Sequence, residues 1–339
     1  MKELKYREEE AASKQYKEDY VNGFERLIRS LELNAEAVRD SRVEELFKNP
    51  EDARRDFCAM LGKPLGMPRG EPPIPSCEEL SREDDATVTR MHFEFLDGLT
   101  MTGLLIKHDT DKALPLVICQ HGGFGTPETV ASIHRGDTAN YYHMAMRTFD
   151  KGVNVFLPQL LLWDAEVYGA PYNRVQIDAR LKRLGSSVAA VEIHGIMRIL
   201  DYFETQPFVK NFGMVGLSYG GFYTLYTAAC DTRICSAVSS SFFNDRSKIP
   251  WADLTWQNSA YRFFDAETAC LVYPRHLSVL VGENDELFNV EGARREYIRL
   301  EKLCASVGTA WVDFTVFKGN HMFPKEDAAL DALVKDLLA

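Results

Sequence analysis

Five residues, Gly216-Leu217-Ser218-Tyr219-Gly220, restrict what this chain can become more than any other stretch. They fit G-x-S-x-G, in which a serine sits on a sharp turn between a strand and a helix, with its hydroxyl raised above the sheet. The glycines are required because a Cβ at either place would meet the neighbouring strand or helix. The surroundings match. Phe212-Gly213-Met214-Val215 reads as a short buried strand leading in, and Gly221 to Ala229 (GFYTLYTAA) as a helix leading out. The alternative, a tight glycine turn with an incidental serine, requires none of this context.

The rest of the chain supplies a sheet for such a turn. From about residue 86, strands alternate with helices over short connections. Thr87 to Leu96 and Thr100 to Lys107 form an antiparallel hairpin around Asp97-Gly98. Strands follow at Leu114 to Cys119, Val153 to Leu157, Ile234 to Ser239, Leu277 to Val281 and Trp311 to Phe317. Helices are expected at Thr138 to Asp150, Ser187 to Glu204, Glu291 to Ala305 and Lys325 to Leu338. This alternation predicts an α/β fold with a mostly parallel, doubly wound sheet flanked by helices. Residues 1–85 differ: they read as an N-terminal helical extension ending in a Pro-rich linker (KPLGMPRGEPPIPS), and 86–339 as the catalytic domain. In the extension Tyr20, Phe24, Leu27, Ile28 and Leu31 share one helical face. The simplest reading is that this stripe packs on the body; the sharper one is that it walls the site or forms a homo-oligomer contact. Residues 244–273 form an aromatic, lid-like insertion between two strands.

Composition narrows the function classes. The 339 residues are 45% hydrophobic and 26% charged, and 39 Lys and Arg stand against 50 Asp and Glu, a net charge of −11. An acidic chain without a basic block argues against nucleic acid or an anionic membrane as partner. The N-terminus has no apolar core of a signal peptide, and no run approaches the length of a membrane span, so a cytoplasmic location is expected. Seven scattered cysteines, with no C-x-x-C pair, fit reduced thiols. No triplet of His, Asp or Cys stands at ligand spacing, His134, Asp137 and His143 coming nearest, and no G-x-G-x-x-G or P-loop is present. No metal and no cofactor is expected.

If Ser218 is a nucleophile, it needs a base, an acid that orients the base, and donors for the developing oxyanion. Only His276 and His321 lie downstream. His276 precedes its strand, at the wrong end, whereas His321 follows the last strand, at the edge where open α/β sheets form sites. The loop after the preceding strand, Val281-Gly282-Glu283-Asn284-Asp285-Glu286-Leu287, supplies the acid. Asp285 is preferred; Glu283 and Glu286 are its rivals and read as solvated loop carboxylates. One oxyanion donor is the N–H of Tyr219. The other comes from Gln120-His121-Gly122-Gly123-Phe124-Gly125, with Gly123 first and Phe124 next. His121 reads as a structural hydrogen-bonder.

Together HGGFG, GLSYGGF, GENDELF and GNHMF resemble the α/β-hydrolase superfamily, and within it the dienelactone-hydrolase and acetyl-xylan-esterase-like group, over roughly residues 85 to 339. The resemblance implies a Ser-His-Asp triad of Ser218, His321 and Asp285 and an acetyl-esterase-like serine hydrolase working on a small-molecule ester through an acyl-enzyme. The chain departs from dienelactone hydrolase, whose nucleophile is cysteine. It departs from cephalosporin-C deacetylases in having Tyr219 after the nucleophile and Met322 after the histidine. The elbow is also similar to that of prolyl-oligopeptidase-type peptidases, so a serine peptidase or amidase is the alternative; a non-catalytic ligand-binding protein on this fold is the alternative from another class. Trp163, Trp251 and Trp256 are expected as an apolar pocket wall or as packing residues, and the basic run Arg174, Arg180, Lys182 and Arg183 as a solvated face.

Overall fold

The computed structural model describes residues 3–83, 85–133, 139–161, 172–249 and 251–339. Three helices come first: α1 (Glu10–Ser41), α2 (Val43–Lys48) and α3 (Pro50–Leu61). The sheet begins with β1 (Ser76–Arg82), β2 (Ala86–Leu96), β3 (Leu99–His108) and β4 (Leu114–Gln120). Next are α4 (Pro127–Val130), α5 (Met144–Phe149), β5 (Asn154–Pro158), α6 (Arg174–Lys182) and α7 (Val188–Glu204). β6 (Val209–Leu217), α8 (Tyr219–Cys230) and β7 (Ile234–Ser240) form the centre. The insertion carries α9 (Ser259–Arg262) and α10 (Asp265–Cys270), and β8 (His276–Gly282), α11 (Val290–Leu303), β9 (Val312–Phe317) and α12 (Ala328–Leu338) complete the chain.

Nine strands form one sheet in the order β1-β2-β3-β5-β4-β6-β7-β8-β9. The pairings from β1 through β3 to β5 are antiparallel, and those from β5 onward are parallel. The central strands are apolar because helices cover both faces. One face meets α7, α8, α10 and α11; the other meets α4, α5 and α12. Each carboxyl end of β4, β6, β8 and β9 therefore opens at the same edge, and the functional loops leave from there.

Two features differ from expectation. β1 extends the sheet from Ser76, ahead of the strand expected at 87; its sequence SCEELSR is exposed at nearly every position, so it carries no apolar alternation. It is held at the sheet edge by its backbone ladder to β2. The extension also splits in its behaviour. α3 buries Ala53, Phe57 and Leu61, and Phe57 lies 5.2 Å from both the Tyr226 and Phe263 rings. The α1 stripe does not pack on the body: Tyr20, Phe24, Leu27, Ile28 and Leu31 remain 46–70% exposed, because only the last turns of α1, around Ala35 and Arg39, reach it. All seven cysteines are free thiols. Among the described residues no helix is long and apolar enough to cross a membrane.

Candidate active site

β6 ends at Leu217 and α8 begins at Tyr219, so Ser218 alone makes the turn. It does so at φ 61° and ψ −122°, a conformation that costs a non-glycine residue on the order of 1–3 kcal/mol. The surroundings hold it there. Ser218 N–H donates to Ser240 O on β7 at 2.9 Å, and Phe222 N–H donates to Ser218 O at 2.9 Å. The flanking glycines are obligatory: a Cβ on Gly216 would lie 2.2 Å from Gly220 O, and one on Gly220 would lie 2.2 Å from Gln120 O. The helix starts against the end of β4, and no larger residue fits between them.

Two further loops converge on the same edge. His321 follows β9 and Asp285 follows β8; His321 Nδ1 lies 2.9 Å from Asp285 Oδ2. Asp285 is buried, and its Oδ1 accepts the N–H groups of Leu287 and Phe288 at 2.9 Å each, which aims Oδ2 at the imidazole. Glu283 and Glu286 are both exposed. The loops are tied to one another by Asn284 N–H to Gly319 O at 2.8 Å and by Phe323 N–H to Asn140 O at 2.8 Å. Phe288 stacks on the His321 ring with centroids 5.8 Å apart. Ser218 Oγ and His321 make no mutual hydrogen bond among the described residues, a looseness common where no substrate is bound. His276 lies at the opposite end of β8, between Asp336 at 2.6 Å and Asp313 at 3.1 Å.

The glycine loop after β4 lies directly on the elbow: a Cβ on Gly122 would stand 3.1 Å from Leu217 O and 3.2 Å from Ser218 Cβ. Gly122 N–H donates to Tyr141 Oη at 2.8 Å, and the next N–H is that of Gly123. Phe124 projects outward, 63% exposed. Tyr219 is the first residue of α8, where N–H groups point out of the helix end and favour negative charge. His121 fixes the loop from below. Its Nδ1 meets Gly122 O at 2.7 Å and its Nε2 accepts Leu160 N–H at 2.9 Å, which sets the neutral tautomer. Complete burial lowers its pKa to about 4. It holds the loop and carries no mobile proton.

The three tryptophans separate. Trp251 stacks on Tyr219 at 6.0 Å and 11° and meets Phe288 edge-on at 5.3 Å, so a row of rings runs from the elbow to His321. Trp256 is buried against Phe222 and Tyr226 and lines a cavity of about 890 Å³ between α1, α6 and the insertion. That cavity includes neither Ser218 nor His321. Trp163 lies outside the described residues. His143 Nδ1 bonds Ser132 Oγ at 2.9 Å, and His134 and Asp137 lie outside the described residues. Among the described residues no group of three His, Cys, Asp or Glu could hold a metal ion.

One residue of the basic run is not solvated. Arg174 is 3% exposed, with Nε 3.0 Å from Asp253, Nη1 3.2 Å from Glu192, and Nη2 donating to Tyr223 Oη at 2.8 Å. Its guanidinium also lies 5.2 Å from the Tyr219 ring centroid, and Tyr219 Oη donates to Asp253 at 2.7 Å. Burial works against the Arg174 charge, but Tyr223, Glu192 and Asp253 outweigh it and raise its pKa well above the ordinary value. The expectation of a solvated face thus fails for Arg174, which shares the inward side of α6 with Asp178, while Arg180 and Arg183 are exposed. A signal was present in the sequence: Glu192 interrupts the apolar helix Val188 to Leu200, and a buried carboxylate requires a partner.

No protein-family profile and no curated sequence matches the chain. Solved structures do. A Bacteroides fragilis protein provisionally assigned as an acetyl xylan esterase is similar over 84% of this chain and 80% of its own, at 18% identity and TM-score 0.66. The glucuronoyl esterase from Solibacter usitatus follows at 16% identity, 84% and 92% coverage and TM-score 0.60. Acetyl xylan esterase 1 from Thermoanaerobacterium sp. JW/SL YS485 gives 17%, 84% and 93%, and 0.56. With the strand order and the elbow, these likenesses define the α/β-hydrolase fold for this chain. All three neighbours carry esterase names.

Proposed function

We propose that the protein is a serine hydrolase that cleaves carboxylic esters through an acyl-enzyme. Ser218 Oγ attacks the ester carbonyl while His321 Nε2 takes its proton. Asp285 holds the other ring nitrogen and stabilises the imidazolium that forms. The N–H groups of Tyr219 and Gly123, with Phe124 next in the same loop, receive the oxyanion; each such donor is worth about 2.7–4 kcal/mol in related chemistry. His321 returns the proton to the departing alcohol, water enters, and the same steps release the acid. The ring row of Tyr219, Trp251 and Phe288 offers an apolar wall for the substrate.

The observation that carries this reading is the His321–Asp285 pair at 2.9 Å, brought from two separate strand ends to the edge where Ser218 stands in its strained turn. The esterase names of the structural neighbours agree with it. Hydrolysis of p-nitrophenyl acetate by the parent and by Ser218→Ala tests it. A rate lost in the variant supports the proposal; equal rates in the two proteins sink it.

A further inference from the structure

Between Tyr16 and Leu31, α1 presents an apolar stripe that none of the described residues covers. Tyr16, Tyr20, Phe24, Leu27, Ile28 and Leu31 recur at spacings of three and four and are each 46–70% exposed. Tyr20 and Phe24 already pack edge to face, with centroids 4.9 Å apart. The same helix is anchored at its other end: Ala35 and Arg39 are buried, Arg39 pairs with Glu267, and Glu36 and Asp40 bond Arg299 and Lys302 on α11. This is an arm fixed at one end with an apolar stripe along one face of the rest.

We infer that α1 is a homodimerisation arm, and that its stripe packs against α1 of a second copy of this chain in an antiparallel, two-fold-symmetric pair centred on Phe24. Three considerations choose this occupant. The six side chains together expose on the order of 750 Å², close to the ~800 Å² per partner that stable interfaces bury. A two-fold axis at Phe24 sets Tyr20 opposite Ile28 and Leu27 opposite the exposed Val21 and stacks Phe24 on its own counterpart, so the centre of the stripe is self-complementary, as an isologous contact requires. The antiparallel register also brings Lys17, on the stripe, within a turn of Glu32 of the second copy. Neither residue has an ion pair within its own chain among the described residues, and both are exposed.

Light scattering during gel filtration of the full chain tests the arm. The parent should run at twice the 38.5 kDa protomer mass, and Phe24→Glu with Ile28→Glu should halve it while the far-ultraviolet circular dichroism and the esterase rate stay unchanged. Phe24→Cys should cross-link to itself under mild oxidation and leave Phe24→Ser uncross-linked. A parent that is monomeric at every concentration overturns the proposal, and so does a dimer that survives the double charge substitution. A dimer lost on charging but unable to cross-link at position 24 overturns the antiparallel register. A monomeric parent that instead co-sediments with phosphatidylcholine–phosphatidylglycerol vesicles gives the stripe to a lipid surface and overturns it too.

Discussion

Ser218, Asp285 and His321 each stand in a loop at or just beyond the carboxyl end of a strand, and the backbone of that loop fixes them. Arg174, Glu192, Asp253 and Tyr223 lie behind Tyr219 and are held almost wholly by one another's side chains. The first group is the one to which the proposed chemistry is assigned; the second is a buried network packed beneath it. The lesson is that a residue close to the elbow can be taken up by packing and pairing behind it. Arg174 is buried, and four of its five N–H donors go to Asp253, Glu192, Tyr223 and the Leu161 carbonyl. It ties the Tyr219 ring to the insertion that carries Asp253.

Substitutions on the two sides should separate cleanly. Ser218→Ala should lower kcat by about 10⁶ with no loss of thermal stability, measured by steady-state kinetics beside calorimetry; a comparable drop in melting temperature would erase the distinction. Asp285→Asn should cost about 10⁴ in kcat, whereas Glu283→Gln, at an exposed position, should cost almost nothing; the reverse result would move the acid to Glu283. Arg174→Met leaves Asp253 and Glu192 buried without their cation, and should lower unfolding free energy by about 3–5 kcal/mol in urea titration, with kcat falling far less than for Ser218→Ala.

The loop support should show in pH rather than in rate. Burial disfavours the His121 imidazolium, so its folded pKa of about 4 lies below its ordinary 6.5. Above pH 6.5 the ring is neutral in folded and unfolded chains alike. As pH falls from 6.5 toward 4 the unfolded chain binds the proton first, and the folded state loses up to about 3 kcal/mol. His194, with a pKa also lowered to about 4 by burial, adds in the same direction. His121→Gln should flatten part of this slope in denaturant titrations across that window; an unchanged slope would assign the loss elsewhere. Smallest of all, Trp251→Ala should raise KM for an aryl ester about tenfold and leave kcat nearly unchanged, as loss of an apolar contact of roughly 1.4 kcal/mol implies.

Much of the candidate site could be read in the sequence because its geometry is local. A glycine pattern fixes the elbow, and loop position relative to a strand end places His321 and Asp285; the choice of Asp285 over Glu283 rested on a few residues of reach, and the structure pairs it with His321. What escaped depends on long-range packing. Arg174 and Asp253 are 79 positions apart, so no window of sequence joins them. Trp251 and Trp256 look equivalent in the insertion, yet one turns toward the elbow and the other into the core. β1 lacks any apolar alternation because its side chains meet water. The stripe on α1 was legible as a stripe, but amphipathicity says only that a face needs cover, not what covers it.

α3 bears on how the protein can be cut. Arg54 donates to the carbonyl of Ala229 at the last turn of α8 and to Leu271 O at 3.2 Å after α10, while Phe57 seals Tyr226 on the same helix. α8 thus has two guarded ends: Ser218 and the Tyr219 N–H at one, and a cation from the supposed appendage closing the other. A fragment begun at residue 86 would bare those carbonyls and the aromatic flank of the helix that starts just after Ser218. Residues 50–61 are thus packed into the body of the fold as closely as its own helices, whatever their place in chain order.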